Sequence, residues 1–176
     1  MGKPDFYQQL QYVQMRIDTL YFAGSYLEAL FLFSGVVEKE IDTLIELLED
    51  WTQDLLQTKK RHFNIKAYRA QRFSNGMTLG QQAQYLSIYL SNPEITEALN
   101  DFIKLRNKCT HHLFDHYLAD LDSEIGIKFK KFYKLIYLLS HEQNIILKKK
   151  IRKSIKINKK LTEVRISEEI DSINKR

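Results

Sequence analysis

The stretch SYLEALFLFSGVV, residues 25–37, holds the most apolar run of the chain and begins with a helix-start signal. Ser25 followed three residues later by Glu28 is the signature of a capping box, in which each side chain would satisfy an orphan backbone donor. The apolar run is about 12 residues long, whereas a membrane span needs about 20. We therefore expect a buried helix that continues to about Leu56, in which Gly35 permits close helix packing and causes no break.

The sequence on both sides of this stretch also favours helices. Upstream, apolar residues at steps of three and four predict a helix over residues 5–23. Downstream, residues 58–76 lack this periodicity and end in a turn signal, which predicts a connector with room for one short helix. A second capping box, at residues 78–81, predicts a helix to about Leu90.

Two further helices complete the predicted order. Asn92 before Pro93 supplies an N-cap and a first helical position, so the next helix runs over residues 93–116. The last helix extends to about Lys150. Its candidate N-caps are Asp120, Asp122 and Ser123. Its core-facing positions are Ile127, Phe132, Leu135, Leu138 and Leu139.

The end of the chain supports two interpretations. Helical steps continue to about residue 153, whereas alternation at 155–157 and 164–166 is typical of two short strands. We favour the helix to residue 153. The whole sequence predicts an all-α fold, an up-and-down bundle of about five helices, with one domain over residues 1–147 and a basic C-terminal extension over residues 148–176.

Length and composition bound the class of protein. The chain has 176 residues, of which 44% are hydrophobic, as in a soluble globular domain. Cys109 is the only cysteine, which excludes an internal disulfide, and the first residues show no secretion signal. We therefore expect a cytoplasmic protein with no membrane span. No spacing of His, Cys and carboxylates is typical of a metal site, so we expect neither metal nor cofactor.

The net charge of +5 is unevenly distributed. Residues 55–93 contain six Lys or Arg and residues 148–160 contain eight, with no acidic residue in either window. Two basic segments in an otherwise acidic chain indicate a phosphate-rich partner, with solubility as the alternative role of the tail. In the first window basic residues alternate with aromatics, as groups that bind RNA phosphates and stack on bases do. The predicted RNA-binding residues are Lys59, Lys60, Arg61, Lys66, Tyr68, Arg69 and Arg72.

The sequence LRNKCTHHLF, residues 105–114, sets Arg106, Asn107 and His111 at fixed spacing within the predicted fourth helix. Arg carries a permanent planar cation for a phosphate, His titrates near neutral pH, and Asn can orient either through hydrogen bonds. His112 is the alternative to His111. These side chains suit cleavage of a phosphodiester without a metal. The ordinary alternatives are a surface ion pair for the arginine and a capping or packing role for the histidine.

Arg106 and Asn107, followed by three residues and then His111, resemble the signature of the HEPN family, small helical proteins of which many are ribonucleases. The resemblance implies a metal-independent endoribonuclease, the toxin or effector of a prokaryotic defence or toxin-antitoxin system. It implies attack of the RNA 2′-OH on phosphorus, with His111 as general acid/base, Arg106 neutralising phosphoryl charge and Asn107 fixing the His ring or the phosphate. It also implies a homodimer with a composite site, and either a neutralising antitoxin resembling a nucleotidyltransferase or an effector complex.

The geometry of one helix gives a separate reason to expect a dimer. Arg106 and His111 lie about 140° apart around a helix, whereas Asn107 and His111 share a face. A two-fold interface through this helix would bring two copies of the motif into one cleft. Two other hypotheses stay open: a non-catalytic HEPN-like module that binds nucleotide, RNA or protein as a dimer scaffold, and an unrelated helical interaction protein.

Overall fold

The computed structural model describes residues 6–58, 77–90, 92–111 and 117–174, and over these residues every regular element is a helix. The helices are α1 (Phe6–Phe22), α2 (Tyr26–Thr58), α3 (Leu79–Tyr89), α4 (Pro93–His111) and α5 (Leu118–Asn174). The prediction of an all-α fold is therefore confirmed. Within the same residues, no helix combines the length and the apolar character needed to cross a lipid bilayer.

Two of the predicted helix starts have the local contacts that the sequence indicates. Thr78 Oγ1 accepts the Gln81 amide at 3.3 Å, and Gln81 Oε1 accepts the Thr78 amide at 2.8 Å, which completes a capping box at α3. Asn92 Oδ1 accepts the Glu94 amide at 3.1 Å at the start of α4. Both helices therefore begin at side chains that satisfy their first backbone donors.

At the start of α2, a backbone amide is hydrogen-bonded by a side chain from a distant part of the sequence. The Leu27 amide donates to Asp122 Oδ1 at 2.9 Å, and Asp122 lies inside α5 because that helix already begins at Leu118. The expectation that Asp120, Asp122 or Ser123 is the N-cap of the last helix is therefore wrong. The carboxylate of Asp122 instead satisfies an orphan donor of a different helix.

α2 and α5 run side by side in the same direction and form the centre of the fold. Leu27 bonds Asp122 near the start of both helices, and Lys150 Nζ lies 3.3 Å from Asp50 Oδ2 far along both. Between these ends their buried faces supply most of the core. The two helices therefore form the frame on which the shorter helices pack. In an up-and-down bundle, α2 and α5 would run in opposite directions because two helices lie between them in the chain, so the expectation of up-and-down order is wrong over the described residues.

α4 runs antiparallel to α5 along this frame. Near its start Glu94 bonds Lys134, and near its end Lys108 Nζ lies 2.8 Å from Glu124 Oε2. The residue numbers rise along one helix as they fall along the other. The end of α4 is therefore level with the beginning of α5.

An aromatic cluster fills the space between α2, α4 and α5. The ring centroid of Phe33 lies 5.4–6.4 Å from those of Phe102, Phe129, Phe132 and Tyr133. The Tyr133 hydroxyl donates to Asp18 of α1, which ties that helix to the cluster. Burial, with the Asp18 bond and charge, raises the pKa of Tyr133.

Close helix packing occurs at a different glycine from the one that the sequence indicates. A Cβ built at Gly35 meets nothing within 4 Å, so the expectation of close packing there is wrong, although α2 is unbroken. Close packing occurs instead at Gly126 of α5, where a Cβ would lie 2.8 Å from Cε2 of Tyr26. Gly24 has φ 78°, which fits its place in the tight turn between α1 and α2.

The last helix is longer than predicted and faces the core with a different set of residues. α5 continues to Asn174, so the end near residue 153 and the alternative of two strands are wrong. Ile127 is 79% exposed, because it lies about 140° around the helix from the buried Phe132. The other predicted positions are confirmed: Phe132, Leu135 and Leu139 are buried, and Leu138 packs partly buried against the core.

Candidate functional site

The motif is presented by α4 because the two faces of that helix differ in character. Its core face consists of the buried residues Ile95, Leu99, Phe102, Leu105 and Cys109. Asn107 and His111 are exposed on the opposite side. Arg106 lies at the edge between the two faces, with 29% of its side chain exposed. α4 ends at His111 within the described residues, whereas its predicted end at residue 116 lies outside them.

The Arg106 guanidinium is held from two sides. Nη2 lies 3.7 Å from Glu38 Oε1 of α2, and Nη1 donates to Asn107 Oδ1 at 3.4 Å. Nε is buried and has no hydrogen-bond partner among the described residues. Arg106 can therefore offer only its terminal nitrogens to a ligand, and a phosphate would compete with Glu38 for them.

Asn107 lies between the other two motif residues around the helix. It lies about 100° around α4 from Arg106 and about 40° from His111. Its side chain is in contact with Arg106, and His111 is exposed one turn further along. The structure thus brings Arg106 and Asn107 into contact and leaves His111 as a separate exposed group on the same side.

An ion-pair cluster anchors this end of α4 to α5. Lys108 Nζ and Lys128 Nζ each lie 2.8 Å from one oxygen of Glu124. Hydrogen bonds from Lys108 and then Lys128 lower the pKa of Glu124. The neighbouring Cys109 is fully buried, and this burial raises the pKa of its thiol, with the Glu124 charge adding to the effect. Cys109 therefore packs as a small core residue, in surroundings that disfavour the thiolate that a nucleophile needs.

Asn107 and His111 are exposed on the surface of α4 and do not line the groove beside it. A groove of about 630 Å³ runs along α4, but its lining ends at Lys104, one turn before Asn107. Glu97 and Asp101 line that groove, so its charge does not favour RNA phosphates. Exposed groups are accessible to water, which weakens their electrostatic interactions with a ligand.

Several predicted site residues lie outside the described residues. They are Lys59, Lys60, Arg61, Lys66, Tyr68, Arg69, Arg72 and His112. Their roles stay predictions. Within the described ranges, no group of three or more His, Cys, Asp or Glu side chains could hold a metal ion. Glu38, the partner of Arg106, could not be predicted from the sequence because it lies on another helix and no local pattern marks it.

Some lysines of the basic segment at residues 148–160 contact α2. Lys150 Nζ lies 3.3 Å from Asp50 Oδ2, and Lys153 Nζ donates to the Asp54 carbonyl at 2.8 Å. Lys153 Nζ also lies 5.5 Å from the ring centroid of Trp51. These two lysines therefore hold α5 against α2.

Comparisons of this chain with protein-family models, with curated proteins and with solved structures find no match. The interpretation of the motif therefore depends on its own residues and their geometry. Arg106, Asn107 and His111 carry that interpretation, together with the contact from Glu38.

Proposed function

We propose that this protein is a metal-independent endoribonuclease of HEPN type, the toxin or effector of a prokaryotic defence or toxin-antitoxin system. The observation that carries the proposal is the contact between the Arg106 guanidinium and Asn107, with His111 exposed one turn further along. A cation, an amide and a titratable ring at one exposed edge are the groups that cleavage of a phosphodiester requires.

The three side chains have separate tasks in the proposed reaction. His111 takes the proton of the RNA 2′-OH, whose oxygen attacks the adjacent phosphorus and displaces the 5′ oxygen. The products are a 2′,3′-cyclic phosphate and a free 5′-hydroxyl. Arg106 neutralises charge on the non-bridging oxygens, and Asn107 keeps the guanidinium in place. Because the attacking group is the 2′-OH, DNA is not a substrate.

A homodimer through α4 completes this scheme. The displaced 5′ oxygen must gain a proton while the 2′ oxygen loses one, and a two-fold interface supplies a second His111 for that step. The second copy also covers the open surface around Asn107. Sedimentation equilibrium at micromolar concentration should give twice the chain mass of 20.9 kDa. A clean monomer would contradict a composite site.

The activity itself is tested with labelled single-stranded RNA in the presence of EDTA. Wild-type protein should cut the RNA and leave cyclic phosphate ends, and His111→Ala should lower turnover by about 100-fold or more with RNA binding nearly intact. His141→Ala is the matched control, since His141 is an exposed histidine of α5 outside the motif. Equal cleavage by the two variants would refute the assigned role of His111.

Variants at the other motif positions separate effects on RNA binding from effects on catalysis. Arg106→Ala should lower turnover and also weaken RNA binding, because a cation attracts the phosphate before and during the reaction. His112→Ala should have a milder effect. Loss of cleavage in His112→Ala with retention in His111→Ala would transfer the catalytic role to His112.

The basic segment at residues 55–93 provides a further test of RNA as the partner. Charge reversal at Arg69 and Arg72 should weaken RNA binding and reduce the logarithmic salt dependence by roughly 0.7 for each phosphate contact removed. Unchanged affinity and salt dependence would remove this window from the interface.

A non-catalytic HEPN-like dimer scaffold that binds nucleotide, RNA or protein is the second candidate. The ion pair between Arg106 and Glu38 favours it, because a purely structural arginine would make the same contact. This candidate predicts that RNA is cut under no condition, whichever of these partners the scaffold binds. In either case the proposed partners are RNA and a second copy of the chain, with a nucleotidyltransferase-like antitoxin or an effector complex as the regulator.

A further inference from the structure

A row of exposed side chains runs along one face of α5 before the basic segment at residues 148–160. Its members follow one another at steps of three and four, so they lie within about 80° of each other around the helix. All of them are exposed, and we call them the α5 stripe: Lys130, Lys134, Tyr137, His141, Asn144 and Lys148. The stripe contains three lysines and no acidic residue, and it leads directly into the basic segment.

The positive charge of the α5 stripe is only partly neutralised. Lys134 pairs with a glutamate of α4, whereas within the described ranges neither Lys130 nor Lys148 has a carboxylate partner. Glu142 is the only acidic residue of the chain between residues 130 and 148. It lies about 100° around the helix from its neighbour in the stripe, and it accepts a hydrogen bond from the residue before α4. The stripe therefore attracts a polyanion.

An aromatic ring stands among these cations. Tyr137 is 67% exposed. His141, one turn further along, stacks on it with ring centroids 6.1 Å apart and ring planes 17° apart. This contact covers one face of the Tyr137 ring and fixes its orientation, so a ligand can stack only on the opposite face. An exposed aromatic ring between lysines is the arrangement with which proteins stack an unpaired base and hold the adjacent phosphates.

The combination of ring and cations favours a single nucleic-acid strand over other polyanions. In a duplex the bases already stack on one another, so an exposed ring has no base to bind. A membrane surface is bound by a broad apolar face, and Tyr137 is the only large apolar side chain of the stripe. The basic segment that follows extends the same positive surface along α5.

We propose that the α5 stripe binds single-stranded RNA, with a base stacked on Tyr137 and neighbouring phosphates held by Lys130, Lys134 and Lys148. The choice of RNA over DNA rests on the proposed function, because neither stacking nor phosphate binding requires the 2′-OH. Tyr137 lies thirteen residues, about 20 Å, along α5 from Glu124, which contacts α4 beside the motif. The stripe therefore holds a part of the strand away from the bond that is cut.

Stacking is tested by fluorescence anisotropy with the full chain and a labelled single strand of 2′-O-methyl RNA, which cannot be cut because its 2′ oxygen is blocked. Tyr137→Ala should raise the Kd about fivefold or more through the loss of one stacked base, with the salt dependence unchanged. Tyr137→Phe keeps the ring and should bind like wild type. Tyr12→Ala is the matched control: Tyr12 is a 71% exposed tyrosine of α1, about 120° around that helix from Asp18, which contacts α5.

The cations are tested with the same strand over a range of salt concentrations. The double variant Lys130→Gln, Lys148→Gln should lower the logarithmic salt dependence by up to about 1.4, at roughly 0.7 for each phosphate contact removed. Arg16→Gln is the control, since Arg16 is an exposed cation of α1 about 160° around that helix from Asp18. Far-UV circular dichroism should show the same helix content for every variant.

Four results would overturn the proposal. They are no binding of the strand by the wild-type chain, equal affinity of Tyr137→Ala and wild type, binding of duplex RNA as tight as that of the single strand, and a Tyr137→Ala variant that loses binding to anionic vesicles alone. The ribonuclease can fail separately. Binding of 2′-O-methyl RNA through Tyr137 without cleavage of ordinary RNA would retain this surface and refute the enzyme, whereas cleavage with unchanged binding by Tyr137→Ala would do the reverse.

Discussion

Two glycines in the interior of helices should respond to alanine in opposite directions. Alanine is favoured over glycine in a helix interior by about 1 kcal/mol. At Gly35 of α2 an added Cβ meets nothing within 4 Å. We therefore expect Gly35→Ala to raise the free energy of unfolding by about 0.5–1 kcal/mol.

At Gly126 of α5 the same methyl group would collide with an aromatic ring. It would lie 2.8 Å from Cε2 of Tyr26 and 3.0 Å from Cδ2 and Cζ, whereas carbon atoms normally pack at about 3.5–4.0 Å. The ring would have to move while it also packs against Tyr21, with centroids 5.3 Å apart. Overpacking costs about 1–3 kcal/mol, which exceeds the gain from helix propensity. Gly126→Ala should therefore lower the free energy of unfolding by up to about 2 kcal/mol.

Urea denaturation followed by far-UV circular dichroism measures both effects, with Gly35→Ala as the matched control. A double variant isolates the collision: in a Tyr26→Ala background the ring is absent, so Gly126→Ala should become stabilising by about 1 kcal/mol. The reasoning is refuted if Gly126→Ala is as stabilising as Gly35→Ala in the wild-type background, or if removal of the Tyr26 ring leaves its effect unchanged.

The remaining predictions concern single side chains near the motif. Glu38→Gln should change the free energy of unfolding by less than about 1 kcal/mol, yet strengthen RNA binding at low salt about threefold because Arg106 loses its competing carboxylate; unchanged affinity would place Arg106 away from the phosphate. Glu124→Gln should lower the melting temperature at neutral pH and make the melting temperature less sensitive to acidification. The pKa of Glu124 is lowered in the folded state, so its carboxylate contributes stability that is lost as pH falls through the folded pKa. Cys109 should react with a thiol reagent at neutral pH only in urea, and rapid labelling of the native protein would contradict its burial.

The sequence predicted helix starts where the deciding contacts are local. Thr78 bonds Gln81 within one turn, and Asn92 bonds the amide of Glu94, so residue type and spacing were sufficient. The motif was likewise placed on a helix, because Asn92 marks where that helix begins. Local patterns of this kind determine which residues share a helix face, and they did so for Asn107 and His111.

Local sequence patterns could not predict contacts between residues that lie far apart in the chain. Asp122 resembles the N-cap of its own helix, but it satisfies the Leu27 amide because α2 and α5 run side by side. The extension of α5 was ambiguous for a related reason. Ile155 and Ile157 alternate as in a strand, whereas in α5 they lie on different faces, and the sequence pattern alone fits both arrangements.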